Sequence, residues 1–149
     1  MNVATILIAF LVLGLSCKTD DDTAMPEPEA EQSIAGQYTG TWSSVTPLNT
    51  YNQIPASARI QATDNPNRFI GQFYFTSSFV SCCNSGDNDG SLAIDVDGSM
   101  ITSFTYTDVI PNCNGSFNGT GTISESGVIT INFTGSDCEG EHTDGVLIL

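Results

Sequence analysis

The cysteines are the residues whose type and spacing bear most directly on chemistry. Cys82 and Cys83 are adjacent, while Cys113 and Cys138 each stand alone. A structural zinc site usually takes ligand pairs separated by two residues, so this spacing favours two disulfides over zinc. Because adjacent cysteines bond each other only with strain, we expect one of the pair to bond Cys113 and the other Cys138. A catalytic thiol is disfavoured because His142 is the only histidine.

Acidic side chains offer a second chemistry, the binding of a divalent cation. Segment 85–90 alternates oxygen-bearing side chains, including Asp87 and Asp89, as part of a calcium loop does. Asp137 and Glu139 are further candidate ligands that another loop would supply. A solvated, Asx-rich turn explains the same segment without a metal. We therefore expect no obligatory cofactor, and calcium is the one candidate ion.

The sequence contains no recognisable group of catalytic residues. Asp95 and Asp97 would lie on one face of a strand with Cα atoms about 7 Å apart, and glycoside hydrolysis uses such carboxylate pairs. Since the other face of that strand is apolar, the pair is expected to face solvent. The sequence thus predicts a protein that is not an enzyme.

The first residues form an export signal. The apolar run at 3–15 would rise about 20 Å as a helix, which is too short for the ~30 Å hydrocarbon core of a membrane. A signal peptide is therefore expected. The sequence GLSC at 14–17 resembles the lipobox of bacterial lipoproteins. This resemblance implies removal of residues 1–16 and attachment of a diacylglycerol and an acyl chain, such as palmitate, to Cys17.

The next segment sharpens the expected location. Its start at 18–22 resembles the acidic export signal of surface lipoproteins of Bacteroidetes-type bacteria. Residues 22–24 resemble the short O-glycosylation motif of that group, which implies a sugar on Thr23. Residues 17–35 are expected to be a lipidated, disordered tether with a net charge of −5. Together these features predict a lipid anchor in the outer membrane and exposure at the cell surface.

The overall composition limits the partners of the chain. Its formal net charge is −14, which excludes nucleic acid as a partner because phosphates attract a basic surface. Hydrophobic residues make up 40% of the chain, so it is not disordered throughout. Residues 36–149 suffice for one ordinary domain, which we expect to be monomeric.

Residues 36–149 are expected to fold as an all-β domain. Apolar residues recur at every second position in eight runs that are rich in Thr, Ser, Gly, Ile, Val and Phe. Tight turns at 64–67, 97–98 and 125–127 alternate with longer connections at 44–56, 77–90, 108–114 and 135–143. An eight-stranded up-and-down antiparallel barrel places all long connections, and with them four cysteines, at one end. This agreement favours the barrel over the alternative, a β-sandwich.

The first run carries the motif Gly40-Thr41-Trp42, which resembles the G-x-W signature of the lipocalin-like superfamily. The resemblance implies a barrel whose closed end is marked by Gly40 and plugged by Trp42. Eight strands close around a space that side chains just fill or that holds one small ligand. The arginine with which that family caps the closed end is absent from the last run, 145–149.

The expected function is that of a non-enzymatic binding module on the outer membrane. A small apolar ligand or a protein partner would bind at the disulfide-linked open end, with Phe73, Phe75, Phe104 and Tyr106 as candidate contacts. The alternative is a structural or interaction protein of the envelope, whose acidic loops bind divalent cations or a cationic partner. The acids in or beside the long connections are Asp87, Asp89, Asp108, Asp137, Glu139, Glu141 and Asp144.

Overall fold

The computed structural model describes residues 33–149 of the chain. The predicted signal peptide at 1–16, the lipidation site Cys17, the glycosylation candidate Thr23 and the tether up to residue 32 lie outside the described residues. The described part contains the strands β1 (Gly36–Val45), β2 (Thr50–Ala62), β3 (Arg68–Tyr74), β4 (Gly90–Asp97), β5 (Met100–Asp108), β6 (Ser116–Ile123), β7 (Ile129–Asp137) and β8 (Gly140–Ile148).

These strands form one closed barrel. Each strand pairs antiparallel with the next in sequence, and β8 pairs with β1 to complete the circle. The prediction of an all-β, eight-stranded up-and-down antiparallel barrel is confirmed, and the β-sandwich alternative is wrong. Closure gives each of these eight strands a neighbour on both sides. Within residues 33–149, no helix has the length and apolar character needed to cross a membrane.

The connections divide the barrel into two ends. The loop end carries the connections 46–49, 75–89, 109–115 and 138–139, and the turn end carries 63–67, 98–99 and 124–128. The predicted long connections 44–56 and 135–143 are wrong, because β2 already begins at Thr50 and β8 at Gly140. Polar residues continue these strands toward the loop end, and such residues give no alternation of apolar side chains to detect.

The barrel interior is aliphatic at the turn end and aromatic toward the loop end. Buried aliphatic side chains at the turn end are Val96, Ile101, Ile123, Ile129 and Leu149. Ile34 joins this core, and its carbonyl accepts a hydrogen bond of 3.0 Å from the Tyr38 hydroxyl. The expectation that a disordered tether extends to residue 35 is therefore wrong at Ile34, because burial of its side chain fixes the chain ahead of β1.

β5 departs from simple alternation at its start. Alternation alone places Met100 on the inward face with Phe104 and Tyr106, but Met100 is 53% exposed and Ile101 is buried instead. The pairing register with β6 shifts between Ile101 and Phe104. Such a bulge changes which side chains face the interior on its two sides.

The glycine of the G-x-W motif allows the barrel to close. Gly40 lies in β1 next to the segment that pairs with β8. A Cβ added at Gly40 would overlap the carbonyl oxygen of Ile148. The backbones of β1 and β8 can approach closely here only because this position carries no side chain.

Candidate functional site

A cavity of about 330 Å³ lies at the loop end of the barrel. Its walls are mostly apolar, and its lining residues are Trp42, Tyr51, Ile54, Phe75, Cys82, Cys83, Asp108, Ile110, Cys113, Phe117, Asp137, Glu139 and His142. This volume lies near the lower limit for small-molecule sites, about 300 to 1,000 Å³. The cavity therefore has room for one small ligand.

Trp42 forms an aromatic wall of this cavity. Its ring centroid lies 5.2 Å from that of Phe117 and 5.4 Å from that of Phe75 in edge-on contacts, and both neighbours line the cavity too. The prediction that Trp42 plugs the closed end is wrong, because aliphatic side chains fill the turn end and the indole belongs to the aromatic half. The only tryptophan of the chain is thus a reporter of cavity occupancy.

One of the four predicted ligand contacts reaches the cavity. Phe75 lines it, whereas Phe73, Phe104 and Tyr106 are buried in the core and are not among its lining residues. Phe73 and Tyr106 each lie 5.8 Å from Trp42, measured between ring centroids. These rings support the cavity wall rather than form it. Strand alternation marks all four as inward-facing but does not give their depth along the barrel axis.

A cluster of buried polar side chains from three strands lies behind the aromatic wall of the cavity. The Trp42 indole N–H donates to Ser44 Oγ at 3.1 Å, and Ser44 Oγ shares a hydrogen bond of 2.9 Å with His142 Nδ1. The other ring nitrogen, Nε2, lies 3.2 Å from Asp137 Oδ1, but the alignment does not make a hydrogen bond. His142 is 4% exposed and lines the cavity, so its Nε2 is a buried polar atom without a hydrogen-bond partner among residues 33–149.

Ser44, His142 and Asp137 are the residue types of an acyl-transfer triad, but their arrangement differs from one. The nucleophile of a triad must reach the substrate. Ser44 is 1% exposed and is not among the cavity-lining residues. Its oxygen also accepts the Trp42 hydrogen bond, which holds the indole in place. Sequence reasoning missed this group because its members lie on three strands. Alternation from Leu147 would also turn His142 outward, and a shift of the β7–β8 register turns it inward instead.

Glu139 anchors Tyr51 at the edge of the cavity. Its Oε2 accepts hydrogen bonds from the Tyr51 hydroxyl at 2.6 Å and from Asn49 Nδ2 at 3.1 Å. These bonds lower the pKa of Glu139, the Tyr51 bond most strongly. Burial, together with the Glu139 carboxylate, raises the pKa of Tyr51 to about 12. Tyr51 therefore stays protonated, and its ring stacks on His142 at a centroid distance of 6.1 Å.

Asp108 contributes a third carboxyl group to the lining. Its Oδ1 accepts a hydrogen bond of 2.7 Å from the Ile110 amide. Burial raises the pKa of Asp108 to about 6, and the nearby carboxylates of Asp137 and Asp89 act in the same direction. The Asp108 carboxyl group is therefore charged at neutral pH, and this charge lowers the stability of the folded state.

The disulfides differ from the predicted pairing. Cys82 bonds Cys83, and Cys113 bonds Cys138. The pairing of β6 with β7 extends to Ser116 and Ser136 at the loop end. The connections that carry Cys113 and Cys138 join these two strands there and therefore lie next to each other. Cys82 and Cys83 lie in a different connection, 75–89, and bond each other within it. The prediction of two disulfides at the loop end is confirmed, and the cross-pairing is wrong.

Asp89 organises the 75–89 connection and is not free to bind calcium. It is fully buried, and its two oxygens accept hydrogen bonds from the Ser81 hydroxyl and from the amides of Phe75, Cys82 and Cys83. Burial alone would raise the pKa of Asp89, but these bonds outweigh burial and lower it.

The other metal candidates do not complete a calcium site with Asp89. Asp87 is exposed in the 75–89 connection, whereas Asp137 and Glu139 line the cavity. Two groups, Cys82 with Cys83 and Asp89, and Cys113 with Asp137 and Cys138, bring potential ligand atoms within 4.8 Å of one another. Their cysteines are joined in disulfides and offer no thiolate.

The arginine side chains of residues 33–149 are Arg59 and Arg68, and both lie away from the cavity. Arg59 lies over the rings of Tyr74 and Phe79 at 5.5 and 5.4 Å from their centroids. Arg68 forms an ion pair of 2.9 Å with Asp95, the residue considered above for glycoside chemistry. The carboxyl groups of the cavity lining therefore have no Lys or Arg partner within the described part of the chain, and the basic side chain beside them is His142.

Comparison with known proteins finds no match to a family model, to a curated protein or to a solved structure.

Proposed function

We propose that this chain is a surface lipoprotein whose barrel binds one small, largely apolar ligand in the loop-end cavity. The observation that carries the proposal is the cavity itself, about 330 Å³, walled by aromatic side chains next to hydrogen-bonded polar groups. Apolar walls supply most of the binding free energy for small ligands, and a few placed polar groups supply orientation. The Cys113–Cys138 bond joins two connections at this end and helps to hold the walls in place.

The membrane anchor is the second part of the proposal and is supported by the sequence at 14–17. Acyl chains on Cys17 would partition the protein into membranes, because each buried methylene contributes about 0.8 kcal/mol. Cys17→Ala should leave the protein in the soluble fraction and without incorporated palmitate. Membrane association of the variant equal to that of the wild type would contradict the anchor and leave the cavity proposal intact.

Native mass spectrometry of the full lipoprotein, isolated from its own cells in detergent, tests the cavity proposal. A bound small molecule should appear as a discrete mass increment. Ile54→Phe, which adds bulk to the lining, should lose that increment. The matched control Ile70→Phe adds the same bulk at an exposed position on β3 and should keep it. A wild-type protein without any increment, or an increment unaffected by Ile54→Phe, would count against the proposal.

A further inference from the structure

We propose that the ligand of the loop-end cavity is an organic cation, an ammonium or guanidinium group attached to a small aromatic or aliphatic body. This inference depends on the proposed function, since it names the class of ligand for the same cavity. It follows from the charge of the lining, from its polar atoms without partners and from its aromatic walls.

The charge of the lining is one-sided. Asp108, Asp137 and Glu139 bring three carboxyl groups into a wall that is otherwise mostly apolar. Arg59 and Arg68 both lie elsewhere on the barrel, so within the described part of the chain His142 is the one basic side chain beside these carboxyl groups. Carboxylates in partly desolvated surroundings are costly unless a cation pairs with them. A cationic ligand would supply the missing charge, and an anionic ligand would be repelled.

The polar atoms of the wall leave places for a ligand to donate hydrogen bonds. Asp137 Oδ1 accepts the Glu139 amide at 2.8 Å, and Glu139 Oε2 accepts the Tyr51 hydroxyl. Their second oxygens, Asp137 Oδ2 and Glu139 Oε1, accept no hydrogen bond from residues 33–149. An ammonium group has three donors and no acceptor, which matches these carboxylate oxygens.

The His142 side chain is independent evidence that polar atoms of the cavity wall lack hydrogen-bond partners. Its Nε2 is buried, has no hydrogen-bond partner within the described residues and belongs to a side chain that lines the cavity. Buried polar atoms are nearly always paired, and an unpaired one that lines a cavity can take its partner from a bound molecule. In the tautomer whose Nδ1–H donates to Ser44 Oγ, Nε2 is an acceptor, so the N–H groups of a ligand placed beside Asp137 Oδ1, 3.2 Å away, can donate to both atoms.

The aromatic side chains suit the same ligand. Trp42, Tyr51, Phe75 and Phe117 all line the cavity. Their ring faces attract cations, and the attraction grows when the cation is desolvated. The same rings pack against the apolar body of the ligand.

Isothermal titration of the full lipoprotein in non-ionic detergent at pH 7.5 tests the inference with three matched probes. These are 2-phenylethylammonium, the neutral 2-phenylethanol and the anionic 3-phenylpropionate. We expect the ammonium probe to bind at least about tenfold more tightly than the alcohol, which is the effect of one charge-assisted hydrogen bond. The carboxylate probe should bind more weakly than the alcohol.

Variants locate the effect in the wall. Glu139→Gln and Asp137→Asn should each reduce the affinity for the ammonium probe toward that for the alcohol, while the affinity for the alcohol changes little. The control Glu141→Gln removes an exposed charge of β8 outside the lining and should leave the preference intact. The comparison of the three probes needs only the wild-type protein. The test therefore remains valid if a variant fails to fold.

The outcomes separate the two proposals. Equal affinity for the ammonium and the alcohol would overturn the cation inference and support a neutral apolar ligand in the same cavity. Binding of none of the probes, combined with a protein free of any small molecule when isolated, would overturn both. Calcium that binds where no organic probe does would overturn the cation inference in favour of a metal site.

Discussion

Two acidic side chains of one connection, Asp87 and Asp89, have opposite environments. Asp87 is exposed, and Asp89 is fully buried under four hydrogen-bond donors. Their spacing in the sequence predicts either a calcium loop or a turn, and does not show which acid turns inward. That choice depends on the Ser81 hydroxyl and on amides up to fourteen residues away, which only the folded connection brings together.

Asp89→Asn should lower the free energy of unfolding by about 2–4 kcal/mol, because its buried side chain keeps only one acceptor oxygen and turns an NH₂ group toward donors that lose their acceptor. Urea unfolding of the purified protein measures this change. Asp87→Asn is the matched control in the same connection and should change stability by less than about 0.5 kcal/mol. Equal stability of the two variants would contradict the structural role assigned to Asp89.

The raised pKa of Asp108 predicts a pH dependence of stability. Between about pH 4 and pH 6 the folded state keeps a proton that the unfolded state loses, so stability falls as the pH rises through this window and levels off above it. Asp108→Asn removes this loss while keeping an oxygen for the Ile110 amide. The variant should therefore gain on the order of 2 kcal/mol over the wild type at pH 7.5 and little at pH 4.

Thermal unfolding of both proteins across this pH range measures the difference. Asp97→Asn, at an exposed position of β4, serves as the control and should track the wild type throughout. A constant gap between Asp108→Asn and the wild type at all pH values would show that the charge of Asp108 is not the cause.

At the scale of elements, the sequence predicts the strands well and their ends poorly. Alternation of apolar residues is a direct consequence of one buried face, and it locates the inward residues Leu92, Ile94 and Val96 of β4. It fails where strands extend on polar residues, as in β2 from Thr50, and where a bulge shifts the register, as at Ile101. The predicted disulfide pairing is wrong for a similar reason. The pairing depends on which connections lie next to each other, and alternation does not show this.

The seam between β1 and β8 gives a prediction at this scale. Gly40→Ala should lower the free energy of unfolding by about 1–3 kcal/mol, because the added Cβ overlaps the carbonyl of Ile148 and must push the two strands apart. Gly36→Ala is the matched control on the same strand, since its added Cβ would meet only the Tyr38 ring at 3.4 Å. Denaturant unfolding that shows no difference between these variants would contradict the role of Gly40 in closure.

At the scale of the whole molecule, the sequence predicts the barrel and the end that bears the loops. Both follow from the order of the strands and the lengths of the connections, which are properties of the chain itself. The position of Trp42 along the barrel axis does not follow from these properties. Alternation shows that the indole faces inward but does not show toward which end of the barrel it packs. The cavity is likewise a property of packing: it exists where aromatic rings from several strands meet the disulfide-linked connections without filling the space between them.

Binding of a small ligand in the loop-end cavity would place that ligand against Trp42. The single indole N–H of the chain gives one separate signal in a proton–nitrogen correlation spectrum, and titration of the ¹⁵N-labelled protein with 2-phenylethylammonium follows it directly. We expect a saturable shift of the Trp42 signal that is lost in Ile54→Phe and kept in Ile70→Phe. A Trp42 signal that moves neither with this probe nor with 2-phenylethanol, or one that moves equally in Ile54→Phe, would contradict binding in the cavity.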